Sequence, residues 1–150
     1  MKTSKININK PSSDLSNVKV AVISTSWNEE IIQPMLDDCL STLEEYNLKK
    51  MSYVVPGAYE LPFMAQVLCK NYDAVILLGC IIKGETPHFE IISQSISDKV
   101  LEASLNKNVP IIFGVLTTNN EKEAEERAAT KGSEFALSAL SILDTLKKIK

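Results

Sequence analysis

Ala74-Val-Ile-Leu-Leu-Gly-Cys-Ile-Ile-Lys-Gly-Glu-Thr-Pro-His-Phe89 reads as a strand, a turn and the opening of a helix. Its start, Ala74 to Leu78, is apolar, branched and uninterrupted, as suits a parallel strand buried on both faces. Beyond the turn, Phe89, Ile92, Ile96 and Val100 recur at helical spacing and share one face. Thr86 is placed to cap that helix and Pro87 to be its first residue, where a missing N–H costs little. Unpaired N–H groups at a helix N-terminus favour an anion such as phosphate. His88, the only histidine of the chain, lies in the same first turn. An imidazole can shuttle protons at physiological pH, and a helix N-terminus disfavours its cation, which suits a general base. The stretch is the candidate active site.

The same alternation extends outward. Val18-Lys-Val-Ala-Val-Ile-Ser24 predicts the first central strand. Asn28 is expected to cap the next helix, with Glu29 and Glu30 set against its dipole and Ile31, Ile32, Met35, Leu36, Cys39, Leu40 and Leu43 at helical spacing. Met51 to Val55 predicts a short strand stopped by Pro56-Gly57, then a helix over 61–71 with Pro62 in its first turn. Pro110 to Leu116 is the fourth strand, and Thr118-Asn-Asn-Glu121 has capping-box spacing. Gly132 is expected to end that helix and Ser133 to cap a last one using Phe135, Ala139, Ile142, Leu143 and Leu146. The expected architecture is a flavodoxin-like three-layer α/β/α sandwich around a four-stranded parallel sheet. Residues 18–150 form the single domain, and 1–17 are read as a flexible N-terminal segment.

Composition narrows the function classes. With 150 residues, 45% apolar and 23% charged, the chain is an ordinary one-domain globular protein. No apolar run approaches the roughly 20 residues that span a bilayer, so no membrane partner is expected. A net charge of −3, without a basic stripe interleaved with aromatics, argues against nucleic acid. Three cysteines, an odd count without metal-like spacing, suit reduced thiols in a cytoplasm. Cys80 is readable as a nucleophile, but a buried strand-end thiol used as a small apolar residue is the preferred reading.

In a parallel α/β sheet, ligands bind beyond the carboxyl ends of the strands. That rule selects Thr25 to Glu29, Pro56 to Glu60, Gly79 to His88, and Phe113 to Asn119. Trp27 either stacks on a flat heterocycle or covers the sheet edge. Glu60, after the tight turn Pro56-Gly-Ala-Tyr, either accepts hydrogen bonds from ligand hydroxyls or sits as a first-turn helix carboxylate. Glu85 and Thr86 adjoin the candidate phosphate cradle, although a plain helix cap also explains Thr86. Arg127 is the only arginine among 16 basic residues and follows Glu121, Glu123, Glu125 and Glu126. It is readable as a surface ion pair or as a bidentate phosphate clamp, with Lys131 in support.

Together these segments resemble the lumazine synthase family of riboflavin biosynthesis. Trp27-Asn28, Pro56-Gly-Ala-Tyr-Glu-Leu-Pro62, Gly79 to Glu90, Pro110 to Thr118 and Glu126-Arg127-Ala128 carry the match. The block ending His88-Phe89-Glu90 is its most specific part. The resemblance implies condensation of 5-amino-6-(D-ribitylamino)uracil with 3,4-dihydroxy-2-butanone 4-phosphate, giving 6,7-dimethyl-8-ribityllumazine, without metal or cofactor. It implies a pyrimidine and ribityl site of Trp27, Asn28, Ala58, Tyr59, Glu60, Cys80, Ile81, Ile82 and Phe113. It also implies a phosphate site of Glu85, Thr86, Arg127 and Lys131, with His88 catalytic. Phe113, Arg127 and Lys131 would come from a neighbouring subunit of a homopentamer, or of a sixty-subunit icosahedral shell, with riboflavin synthase a further partner. A non-catalytic flavin- or ribityl-binding or shell-forming relative is the alternative. One departure stands out: after Arg127 the connection is about four residues, roughly one helical turn, shorter than in many members. That bears on the match of Lys131 and on assembly.

Overall fold

The computed structural model describes residues 7–84 and 88–149. Glu85, Thr86 and Pro87, and with them the expected cap and first helical residue, lie outside the described residues.

Four strands and four main helices alternate: β1 (Lys19–Thr25), α1 (Glu29–Glu44), β2 (Lys49–Val55), a short 3-10 turn (Ala58–Glu60), α2 (Leu61–Leu68), β3 (Ala74–Ile82), α3 (His88–Lys107), β4 (Ile111–Thr118) and α4 (Glu121–Lys148). The strand order is β2-β1-β3-β4, and every pairing is parallel. All carboxyl ends therefore share one edge, and the chain changes direction across the sheet between β1 and β3, where such folds open a ligand crevice. Side chains alternate between faces, as the two-residue period demands. Val20, Val22, Ile76, Leu78 and Cys80 join the core beneath α1 and α4, whereas Ala21, Ile23, Val75 and Leu77 join the core beneath α2 and α3. Burial on both sides explains why β1 and β3 read as unbroken apolar runs.

Three local expectations are corrected. Gly132 does not stop a helix and Ser133 does not start one, because α4 runs unbroken from Glu121 to Lys148. A Cβ on Gly132 would stand 2.3 Å from the Met35 carbonyl oxygen, so the glycine serves the crossing of α4 over α1. The cap of α4 is Asn120, whose side chain accepts the Glu123 N–H at 2.8 Å. Thr118 instead ends β4 and donates its hydroxyl to the Asn120 carbonyl at 3.0 Å. Asn28 does precede α1, but in the left-handed region (φ 62°) that asparagine tolerates, and its side chain makes no capping bond. Its carbonyl accepts the N–H groups of Ile31 and Ile32, each at 3.0 Å.

Of the segment before β1, Leu15 is buried and the Ser13 N–H donates to Asp144 of α4 at 2.8 Å. Among the described residues no helix is long and apolar enough to cross a membrane.

Candidate active site

The loops after β1 and β2 are sewn together by backbone. The Ser26 N–H donates to the Val55 carbonyl at 2.8 Å, and the Trp27 N–H to the Pro56 carbonyl at 2.9 Å. The Thr25 hydroxyl braces the turn by donating to the Trp27 carbonyl at 3.0 Å. This arrangement lays the Trp27 ring on Gly57, where an added Cβ would come within 2.4 Å of Trp27 Cε3. Gly57 is extended (φ −140°), so glycine is required here by close approach and not by backbone angle. The indole remains 64% exposed. One face of the ring is shelved and much of the rest is open to a stacking partner.

The turn after β2 closes on itself. The Gly57 N–H donates to Glu60 Oε1 at 2.9 Å, and the Glu60 N–H to the Gly57 carbonyl at 3.1 Å. Of the two readings of Glu60, the local one is realised for that oxygen. The bond also fixes the direction of the carboxylate; of the two residues between, Ala58 is half-buried and Tyr59 67% exposed. Tyr59 reaches α3 and, with His88, Ile91, Ile92 and Ser95, lines a cavity of about 310 Å³. His88 is exposed. Ile91 and Ser95 were not singled out in the sequence, yet the helical spacing of residues 88, 91, 92 and 95 carries the signal.

Ile81 and Ile82 end β3 opposite Thr117 and Thr118, and both are half-buried. Cys80, just before them, is buried, and that burial pushes its thiol up to about 11, with Glu121 adding to the effect. A thiol so held is protonated at neutral pH and acts as a small apolar residue.

Arg127 leans from the first turns of α4 toward the end of β4. Its guanidinium meets Glu123 Oε1 at 2.9 Å and donates weakly to the Thr117 carbonyl at 3.5 Å. The ion pair with the acidic run is present, and the group also stands at the carboxyl edge of the sheet. Lys131 lies one turn further on and meets Glu134 at 2.9 Å. Phe113 pairs with Leu77 in mid-sheet and packs on the α2/α3 core. A single chain thus gathers Trp27, Asn28, Ala58, Tyr59, Glu60, Ile81, Ile82, His88 and Arg127 along one edge. It does not bring Phe113 or Lys131 to them.

Comparison with known proteins finds relatives along nearly the whole chain. The family model described as 6,7-dimethyl-8-ribityllumazine synthase matches residues 17–147. A protein of that name from Cytophaga hutchinsonii is 40% identical over 139 residues, covering 87% of each chain. One from Limosilactobacillus reuteri is 35% identical over 137 residues, covering 89% of this chain and 90% of its own. Another, from a Mycobacterium species (strain KMS), is 36% identical over 147 residues, covering 93% and 92%.

Proposed function

The chain belongs to the 6,7-dimethyl-8-ribityllumazine synthase family, and we propose from that premise a site in which each gathered residue has a role. The protein is a transferase of riboflavin biosynthesis: it condenses 5-amino-6-(D-ribitylamino)uracil with 3,4-dihydroxy-2-butanone 4-phosphate to the lumazine, releasing phosphate and water. Trp27, shelved on Gly57, stacks on the pyrimidine, and backbone groups of Cys80, Ile81 and Ile82 hold its edge. Asn28, Ala58, Tyr59 and Glu60 take the ribityl side, the second Glu60 oxygen accepting from hydroxyls.

His88, exposed at the mouth of the Tyr59 cavity, takes a proton from the attacking amine. It returns one as water leaves to form the imine, and shuttles again as phosphate is eliminated. Arg127 clamps the phosphate, together with Glu85, Thr86 and Lys131. The amine and the ketone already react slowly unaided, so holding them together and in register supplies most of the acceleration.

The observation that carries this reading is the convergence of Trp27, Gly57–Glu60, Ile81–Ile82 and His88 on the edge between β1 and β3, in a chain of this family. Phe113 and Lys131 lie apart from those residues, which supports a homopentamer, or a sixty-subunit shell, in which each subunit lends Phe113 and Lys131, together with Arg127 at the end of its own β4, to a neighbour's site. Riboflavin synthase, which consumes the product, is the expected partner, and the cytoplasm the expected location.

The test is lumazine formation followed by absorbance and fluorescence with both substrates. Turnover well above the spontaneous reaction is expected; none from folded, assembled protein would overturn the reading. Arg127→Ala is expected to raise KM for the butanone phosphate at least tenfold, about 1.5 kcal/mol or more of charge-assisted bonding. KM for the pyrimidine should change little.

A further inference from the structure

Asp38 and Gly132 form a joint between α1 and α4 outside the site just described. An added Cβ on Gly132 would lie 2.3 Å from the Met35 carbonyl oxygen and 2.9 Å from the Cys39 nitrogen, so the two helix backbones touch there. Beside that contact the Ser133 N–H donates to Asp38 Oδ2 at 2.6 Å. It is a short, charge-assisted bond from the side chain of one helix to the backbone of the next. Ala124, Ala128 and Ala136 are buried on the same four-residue repeat as Gly132, so this half of α4 meets α1 through small side chains, and Leu140 and Leu143 join the shared core only beyond it. Small residues bring the backbones close but interlock little, and the bond to Asp38 adds a directional restraint at that crossing.

The consequence falls on Arg127, which stands about 7–8 Å up the same helix axis. A slip of α4 by one residue would swing the guanidinium by about 100° and carry it away from the end of β4. We propose that Asp38 is a positioning residue. By accepting the Ser133 N–H it fixes the height and rotation of α4, and so holds Arg127 at the carboxyl edge. The proposal rests on the phosphate-binding role of Arg127.

Steady-state kinetics of the full-length protein test it with Asp38→Ala, Asp38→Asn, Arg127→Ala and the double variant Asp38→Ala/Arg127→Ala. Asp38→Ala is expected to raise KM for the butanone phosphate about fivefold, within the range of coupled contacts. KM for the pyrimidine and kcat should stay within about twofold of the parent, a spread left by ordinary substitutions. Asp38→Asn keeps an acceptor oxygen and should recover most of the loss. Added to Arg127→Ala, Asp38→Ala should raise KM no further. Equal rises for both substrates, an unchanged phosphate KM, or an additive effect in the double variant would each overturn the proposal. Should Asp38→Ala not fold, Asp38→Glu, which retains the charge but displaces the carboxylate, carries the same test: a raised phosphate KM supports the proposal and a parental value overturns it. Should Arg127→Ala itself leave phosphate KM unmoved, the role of Arg127 fails and the proposal with it. A raised KM in Arg127→Ala alone, with Asp38→Ala at the parental value, overturns only the role of Asp38.

Discussion

Against one face of the sheet, α1 and α4 close on each other through alanines, one glycine and a charged hydrogen bond. Against the other, α2, α3 and the 3-10 turn before α2 leave Tyr59, Phe63, Ile91, Leu101 and Leu105 in the open, Phe63 being 72% exposed. The first pair completes its core within one chain. The second leaves large apolar side chains exposed, and such surface, where it is continuous, marks a site of association. Arg127 rides on the closed side and His88 on the open one. The chain thus holds Arg127 on a tightly packed pair of helices and leaves the apolar surroundings of His88 exposed.

The largest effect should come from Gly132→Ala, which breaks the closed side. Its methyl would meet Met35 backbone, which cannot step aside, and a loss of about 2–3 kcal/mol is expected from urea unfolding at fixed protein concentration. Gly57→Ala sharpens the contrast. Its methyl meets only an exposed indole free to turn, so stability should fall by about 1 kcal/mol or less. KM for the pyrimidine should rise instead. Equal costs at the two glycines would mean that the site loop is as rigid as the helix crossing.

On the open side, Phe63→Arg should leave the circular dichroism spectrum intact while lowering the sedimenting mass. The loss is about 1.5–3 kcal/mol of association for one buried aromatic. An unchanged mass would place the neighbour elsewhere.

The smallest effect concerns the far end of α4. The Ser13 hydroxyl and N–H hold the Asp144 carboxyl down at about 2, below its ordinary 3.8, with help from the Ser12 N–H and Lys148. The unfolded chain therefore takes up a proton that the folded chain refuses, and stability rises with pH through this window. The contribution is complete above about pH 4 and fades as pH falls toward about 2. Asp144→Asn should be the less stable protein at neutral pH, with the gap closing in acid.

Much of this was legible in the sequence for a physical reason. A strand buried on both faces must be apolar throughout, so β1 and β3 announced themselves, and the ligand-end rule then located Trp27, Glu60 and His88 without reference to any partner in space. Gly132 was misread because a glycine that ends a helix and one that admits a neighbouring backbone look alike locally. What distinguishes them, Met35 and Asp38, lies far away in the chain. The cap of α4 went astray because Thr118 and Asn120 are both good caps, and only the pairing of Ile82 with Thr118 shows that β4 extends to take the threonine. The rest of Trp27 on Gly57 was hidden too, since it depends on the register between β1 and β2.

Trp27 is the only tryptophan in the chain. Light absorbed selectively by indole is therefore emitted from a single point, the shelf above Gly57. The protein carries its own optical gauge there: a flat ring settling on the open side of that indole alters its emission, and the change can be read in unlabelled protein during the first milliseconds of mixing.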